Sequence, residues 1–117
     1  MIKKAKDVRV TADSNLRGGN GTVTMEHFVE KDESFGSGRL FAKATLPPGS
    51  SIGTHKHEGE FEVYYILQGT AHVMDNDIPK VLETGDMMIC KNGDTHMIEN
   101  KGTEDVVAVF LVLYPKE

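Results

Sequence analysis

Tryptophan is absent from this sequence and cysteine nearly so, Cys90 being the one thiol among 117 residues. A lone cysteine excludes an internal disulfide, and without a Cys-x-x-Cys pair a structural zinc ribbon is excluded too; a reducing cytoplasm is the compartment that fits. No apolar run approaches the roughly 20 residues that a membrane-crossing helix needs, the longest being 106–114. The opening Met-Ile-Lys-Lys-Ala-Lys-Asp carries charge with no apolar stretch behind it, so no signal peptide is expected. Basic clusters are missing as well. With 13 Lys and Arg against 18 Asp and Glu, the formal net charge is −5, which argues against nucleic acid as a partner. The glycine-rich stretch 17–21 lacks both a Gly-Lys-Ser/Thr and a following helix, so it reads as a turn and not as a phosphate cradle. There is no Gly-x-Ser-x-Gly elbow, no repeat, no low-complexity tract and no sustained helical period.

What is present is a series of short runs rich in β-branched and aromatic residues, at 23–29, 39–46, 61–67, 71–74, 87–90 and 106–114. Gly, Pro, Asn and Asp turn signals separate them at intervals of about ten residues, a pattern that predicts an all-β antiparallel sandwich or barrel. A chain of 117 residues suits one domain, 1–117, with one core. In 39–46, Leu40, Ala42, Ala44 and Leu46 alternate with Arg39, Phe41, Lys43 and Thr45, so one face is apolar and the other mixed. The run 106–113 is apolar on both faces and must be covered by a second sheet or by another subunit, which predicts a homodimer.

Four residues carry the chemistry: His55, His57, Glu62 and His96. His55 and His57 are two apart, so on a strand they point to one side and can meet one ion together. Glu62 follows after a turn at Glu58-Gly59, and His96 arrives from a separate hairpin beyond Asn92-Gly93. Three imidazoles and a carboxylate suit one divalent transition metal per chain, and Fe, Mn, Ni, Co, Zn and Cu all remain open. Tyr64 and Ile66 share the face of Glu62 and should line the cavity behind it. Tyr64 reads either as a hydrogen-bond donor to substrate or as filling for the barrel. Glu58 and Glu60 read either as a general base or ligand partner, or as a solvated acidic loop. Tyr64 and Glu60 are the candidate catalytic side chains. Cys90, in the apolar run 87–90, reads as a buried hydrophobe with a raised pKa. His27 and His72 read as structural or surface residues, and Met25, Met87, Met88, Phe41 and Phe110 as core filler.

These residues resemble the two signature motifs of the cupin superfamily. The first, G(X)5HXH(X)3–4E(X)6G, is met at Gly49, His55, His57, Glu62 and Gly69 within 49–69. The second, G(X)5PXG(X)2H(X)3N, is met at Gly85, Gly93, His96 and Asn100 within 85–100, with Lys91 where the motif has proline. The resemblance implies a double-stranded β-helix, the jelly-roll barrel of small RmlC-like cupins, with a metal inside held by His55, His57, Glu62 and His96. It implies no single reaction. An octahedral ion with these four ligands keeps two adjacent positions for water, dioxygen or a chelating ligand. The expected function is therefore a metal-dependent enzyme acting on a small anionic or enolisable metabolite, an oxygenase or else an isomerase or lyase. The alternative from another class is a non-catalytic module that binds a sugar or other metabolite.

Overall fold

The computed structural model describes residues 1–116, and its regular structure is ten strands and three short 3-10 turns. In chain order the strands are β1 (Arg9–Ser14), β2 (Thr22–His27), β3 (Gly38–Leu46), β4 (Ser51–Lys56) and β5 (Phe61–Gln68), then β6 (Ala71–Asp75), β7 (Ile78–Leu82), β8 (Met87–Cys90), β9 (Thr95–Glu99) and β10 (Val106–Leu113). A six-stranded sheet runs β1-β2-β3-β10-β5-β8 and a four-stranded sheet runs β4-β9-β6-β7. Every pairing is antiparallel. This is the expected all-β double-stranded β-helix. No helix among the described residues is long and apolar enough to cross a membrane.

The core lies between the sheets, and β10 shows how it is built. Val106, Ala108, Phe110 and Val112 are buried and alternate with half-buried Val107, Val109, Leu111 and Leu113. On β3 the alternation read from the sequence holds at Ala42, Ala44 and Leu46, all fully buried, with Leu40 half-buried. Opposite them, Ile52, Val73 and Ile98 close the core from the smaller sheet. Each buried side chain of the Val, Ile or Phe class stabilises the fold by roughly 1.5–3 kcal/mol.

Among the described residues no third sheet packs behind β10; Phe28 covers only the Phe41 end of that face, with ring centroids 5.1 Å apart. A row of apolar side chains crosses four strands in register, Phe41 to Leu111 to Val63 to Ile89. Ile89 is 50% exposed and its neighbour Met87 57% exposed.

Four strands fall outside the apolar runs of the sequence. β1 (RVTADS) is largely polar and exposed; β7 (IPKVL) contains a proline and sits at a sheet edge; β4 and β9 carry the histidines. The chain before β2 is strapped to β4. The Asn20 N–H donates to Ser51 Oγ at 2.9 Å and the Ser51 N–H to Asn20 O at 2.9 Å. Backbones approach so closely here that a Cβ on Gly53 would lie 2.1 Å from Arg17 O, and one on Gly19 would lie 2.2 Å from Ser51 O. Glycine is required at both positions by that contact.

Candidate metal centre

The site sits between the two sheets. β4 and β9 are neighbours and place His55 opposite His96 in register, while His57 lies one residue past the end of β4. Glu62 and Tyr64 come from β5 in the facing sheet. The turn that returns the chain from His57 to β5 is tied to the 91–94 turn. The His57 N–H donates to Asp94 O at 3.1 Å, the Gly93 N–H to His57 O at 2.6 Å, and the Gly59 N–H to Asn92 Oδ1 at 2.9 Å. Lys91 fills the proline position without loss, because its carbonyl accepts from the Asp94 N–H at 2.9 Å and closes the turn.

Four donor atoms converge. His96 Nε2 lies 3.0 Å from His55 Nε2 and 3.0 Å from His57 Nε2; Glu62 Oε1 lies 2.9 Å from His57 Nε2 and 3.1 Å from His96 Nε2. All four side chains offer donors within 4.8 Å of one another, and His57, Glu62 and His96 are buried. Adjacent donors around an ion with bonds of about 2.1 Å sit about 3.0 Å apart, so this spacing is that of a coordination shell.

The ring partners point the same way. The Nδ1–H of His55 donates to Gly53 O at 2.7 Å and that of His57 to Glu60 Oε2 at 2.5 Å, which leaves a lone pair on each Nε2 aimed at the centre. In the neutral rings these lone pairs face the Glu62 carboxylate and one another, and a cation would satisfy them together. His96 is the exception: its Nδ1 is buried with no partner among the described residues. The group could therefore hold one metal ion, and the donor set fits it.

Charge in the site is set by mutual contact. Burial pushes the Glu62 carboxyl up, but the three imidazoles outweigh it and hold Glu62 well below the usual carboxylate range. The hydrogen bond with Glu62 raises His57 above its ordinary value, aided by Glu60 and opposed by burial. Burial lowers His96. Metal entry must therefore expel a proton that His57 holds more tightly than a free imidazole does. Affinity is expected to rise with pH through a window that extends above the ordinary value of 6.5. Competition with a chromophoric chelator between about pH 6 and 8 reads this directly, and a flat profile would count against coordination by His57. In the metal-free protein the sign reverses. The protonated His57–Glu62 pair stabilises the fold below the unfolded imidazole value, and that contribution fades as pH rises through the elevated one.

The remaining candidates separate cleanly. Tyr64 is fully buried, stacked between His96 and Phe110 with ring centroids 4.7 Å and 4.3 Å away, and its hydroxyl lies 3.3 Å from His96 Nε2. Burial pushes the Tyr64 phenol well up, with the charge of Arg17 acting in the other direction. Both carboxylate oxygens of Glu60 are engaged, one by Arg39 Nε at 2.8 Å and the other by Arg39 Nη2 at 2.7 Å and His57 Nδ1. Glu58 is an exposed partner of Lys56. Ile66 is buried in the core cluster and does not reach the cavity lining. Cys90 is buried and pushed up to about 12, mainly by burial. His27 pairs with Thr11 Oγ1 at 2.9 Å, away from the site, and His72, on β6, sits opposite Glu99 of β9 and outside the ligand group.

A cavity of about 190 Å³ opens onto the ligands. Leu16, Ile52 and Phe110 form part of its wall, and Asp13, Arg17 and Arg39 also line it. Arg17 escapes a reading of the motifs because the only signal for it, the glycine-rich 17–21, predicts a turn and no more.

The profile of the family described as cupin domain matches residues 42–114. An oxalate-binding protein of Thermotoga maritima is 43% identical over 115 residues, spanning 97% of this chain and 95% of that one. The crystal structure of a predicted oxalate decarboxylase from Thermotoga maritima superposes with a TM-score of 0.92 at 40% identity, covering 98% of this chain and 100% of that chain. The cupin domain of Schizosaccharomyces pombe Cnp3 matches with a TM-score of 0.72 over 90% of this chain and 69% of that one. At 15% identity this last likeness is one of fold alone.

Proposed function

The chain belongs to the cupin domain family, and we propose that it binds a small carboxylate, oxalate being the type, at a divalent transition ion held by His55, His57, Glu62 and His96. The observation that carries this reading is the cavity itself: converging lone pairs at its floor, two arginines in its wall, and a volume of about 190 Å³. The cavity falls short of the roughly 300 Å³ at which drug-sized pockets begin, and its two arginines beside the ligand group favour a compact anion. The oxalate-binding relative supports the same choice.

When bound, the ion supplies Lewis acidity toward a carboxylate oxygen, with a residual charge of about +1 after Glu62 is counted. The chain's own side chains do the rest. Leu16, Ile52 and Phe110 make part of the wall apolar and so strengthen electrostatic contacts at the ligands. Tyr64 stays protonated and can donate a hydrogen bond. Glu60 orients His57 and, with both oxygens engaged, serves as no general base. Asp13, Arg17 and Arg39 set the charge of the walls.

Calorimetric titration of manganese-loaded protein with oxalate tests the proposal. We expect stoichiometric binding that disappears on chelation of the metal. Heat of binding that survives chelation would sink it. A second reading, catalysis of the lyase or oxygenase kind, draws support from the protonated Tyr64 hydroxyl beside His96. Release of carbon dioxide or uptake of oxygen in the same titration mixture decides between binder and enzyme.

A further inference from the structure

Arg17 and Arg39 are the two cations that line the cavity. Arg17 lies in the 3-10 turn Leu16–Gly18, upstream of the 42–114 segment that defines the family, yet it lines the cavity over the metal ligands. Its backbone is left-handed, φ 55° and ψ 29°, a conformation that costs a non-glycine residue roughly 1 kcal/mol. The surrounding contacts hold it there. The Gly19 N–H donates to Leu16 O at 2.9 Å, the Gly18 N–H to Asn15 O at 3.0 Å, and Asn15 Nδ2 to Gly19 O at 3.1 Å. The close approach of Gly53 to the Arg17 carbonyl then fixes the turn to β4, two residues before His55.

The two arginines of the cavity differ in what they are free to do. Arg39 is committed in a two-point pair to Glu60. The exposed Arg17 guanidinium has no ion pair and no side-chain hydrogen bond among the described residues.

We propose that Arg17 is the specificity-determining residue of this site, its planar fork receiving the outer oxygens of a dicarboxylate whose inner oxygens face the ion. This rests on the carboxylate-binding reading above and adds to it the preference for a dianion over a monoanion. An ion of residual charge about +1 serves a single carboxylate well enough. The second negative charge needs its own cation, and Asp13 in the same wall makes that need greater. Guanidinium is the group whose donor geometry matches a carboxylate at two points.

The test compares oxalate and acetate binding to manganese-loaded wild type, Arg17→Gln and Arg17→Lys, with metal content and melting temperature followed in each. For Arg17→Gln we expect oxalate affinity to fall about 10- to 100-fold and acetate affinity to change less than about threefold, at unchanged metal content and melting temperature. Arg17→Lys should lie between, keeping the charge and losing the fork. Equal losses for both anions, or wild-type oxalate affinity in Arg17→Gln, would overturn the assignment and leave the carboxylate-binding reading standing. A wild-type protein that binds acetate but not oxalate would overturn it in the same way. A metal-loaded wild type that binds neither anion would overturn both.

Discussion

Replacing His57 by alanine is expected to strip the protein of its metal while leaving the barrel folded. His57 Nε2 stands 2.9 Å from Glu62 and 3.0 Å from His96, and its Nδ1 is anchored on Glu60. Losing a partner of a ligand typically lowers metal affinity 10- to 100-fold, so losing the ligand should lower it by at least about 100-fold. Elemental analysis after reconstitution should find about one ion per wild-type chain and close to none in the variant. The fold should survive because His57 lies past the end of β4, and its backbone ties to Asp94 and Gly93 do not involve the ring. Circular dichroism checks that condition. Wild-type metal content in a folded His57→Ala protein would remove the ligand set from consideration.

The second large effect concerns assembly. Light scattering at low micromolar concentration should report about twice the chain mass of 12.9 kDa, because the apolar row Leu111–Val63–Ile89 ends in half-exposed Ile89 and Met87 with no third sheet over it among the described residues. In a two-fold interface each substitution acts twice, and a buried charge without a partner costs about 3–5 kcal/mol. Leu111→Glu should therefore give a monomer at concentrations where wild type is dimeric. Leu111 is half-buried on the outer face of β10, so the barrel should outlast the dimer. A monomeric wild type would mean that the row tolerates water.

The sequence made the centre of this molecule legible and left its margins blank. Metal ligands must have the right chemistry at the right spacing, so His55, His57, Glu62 and His96 stood out before any geometry was known. Strands β3, β5 and β10 were legible because burial on one or both faces writes itself as apolar periodicity. β1 is mostly exposed and β7 is an edge strand containing Pro79, so neither has a buried face to advertise. The apolar run 23–29 extends two residues beyond β2, because Phe28 is still apolar and still donates its N–H to Phe41 O at 2.8 Å where the strand ends. Ile66 shares its strand face with Tyr64 yet lies too deep to reach the cavity. Arg17 was invisible for a different reason: what matters is where the backbone sends it, and that is decided by a contact between Gly53 and the Arg17 carbonyl across 36 positions.

Glu62 belongs to one sheet and the three histidines to the other side of the barrel. An ion gripped by all four is a rivet through two plates. It sets the spacing of the sheets at one point, so occupancy and mechanical stiffness become a single variable. With free metal at 100 times its dissociation constant, the rivet adds about 2.7 kcal/mol to the closed barrel. Without the ion, the two sheets would be held at that point by side-chain contacts alone.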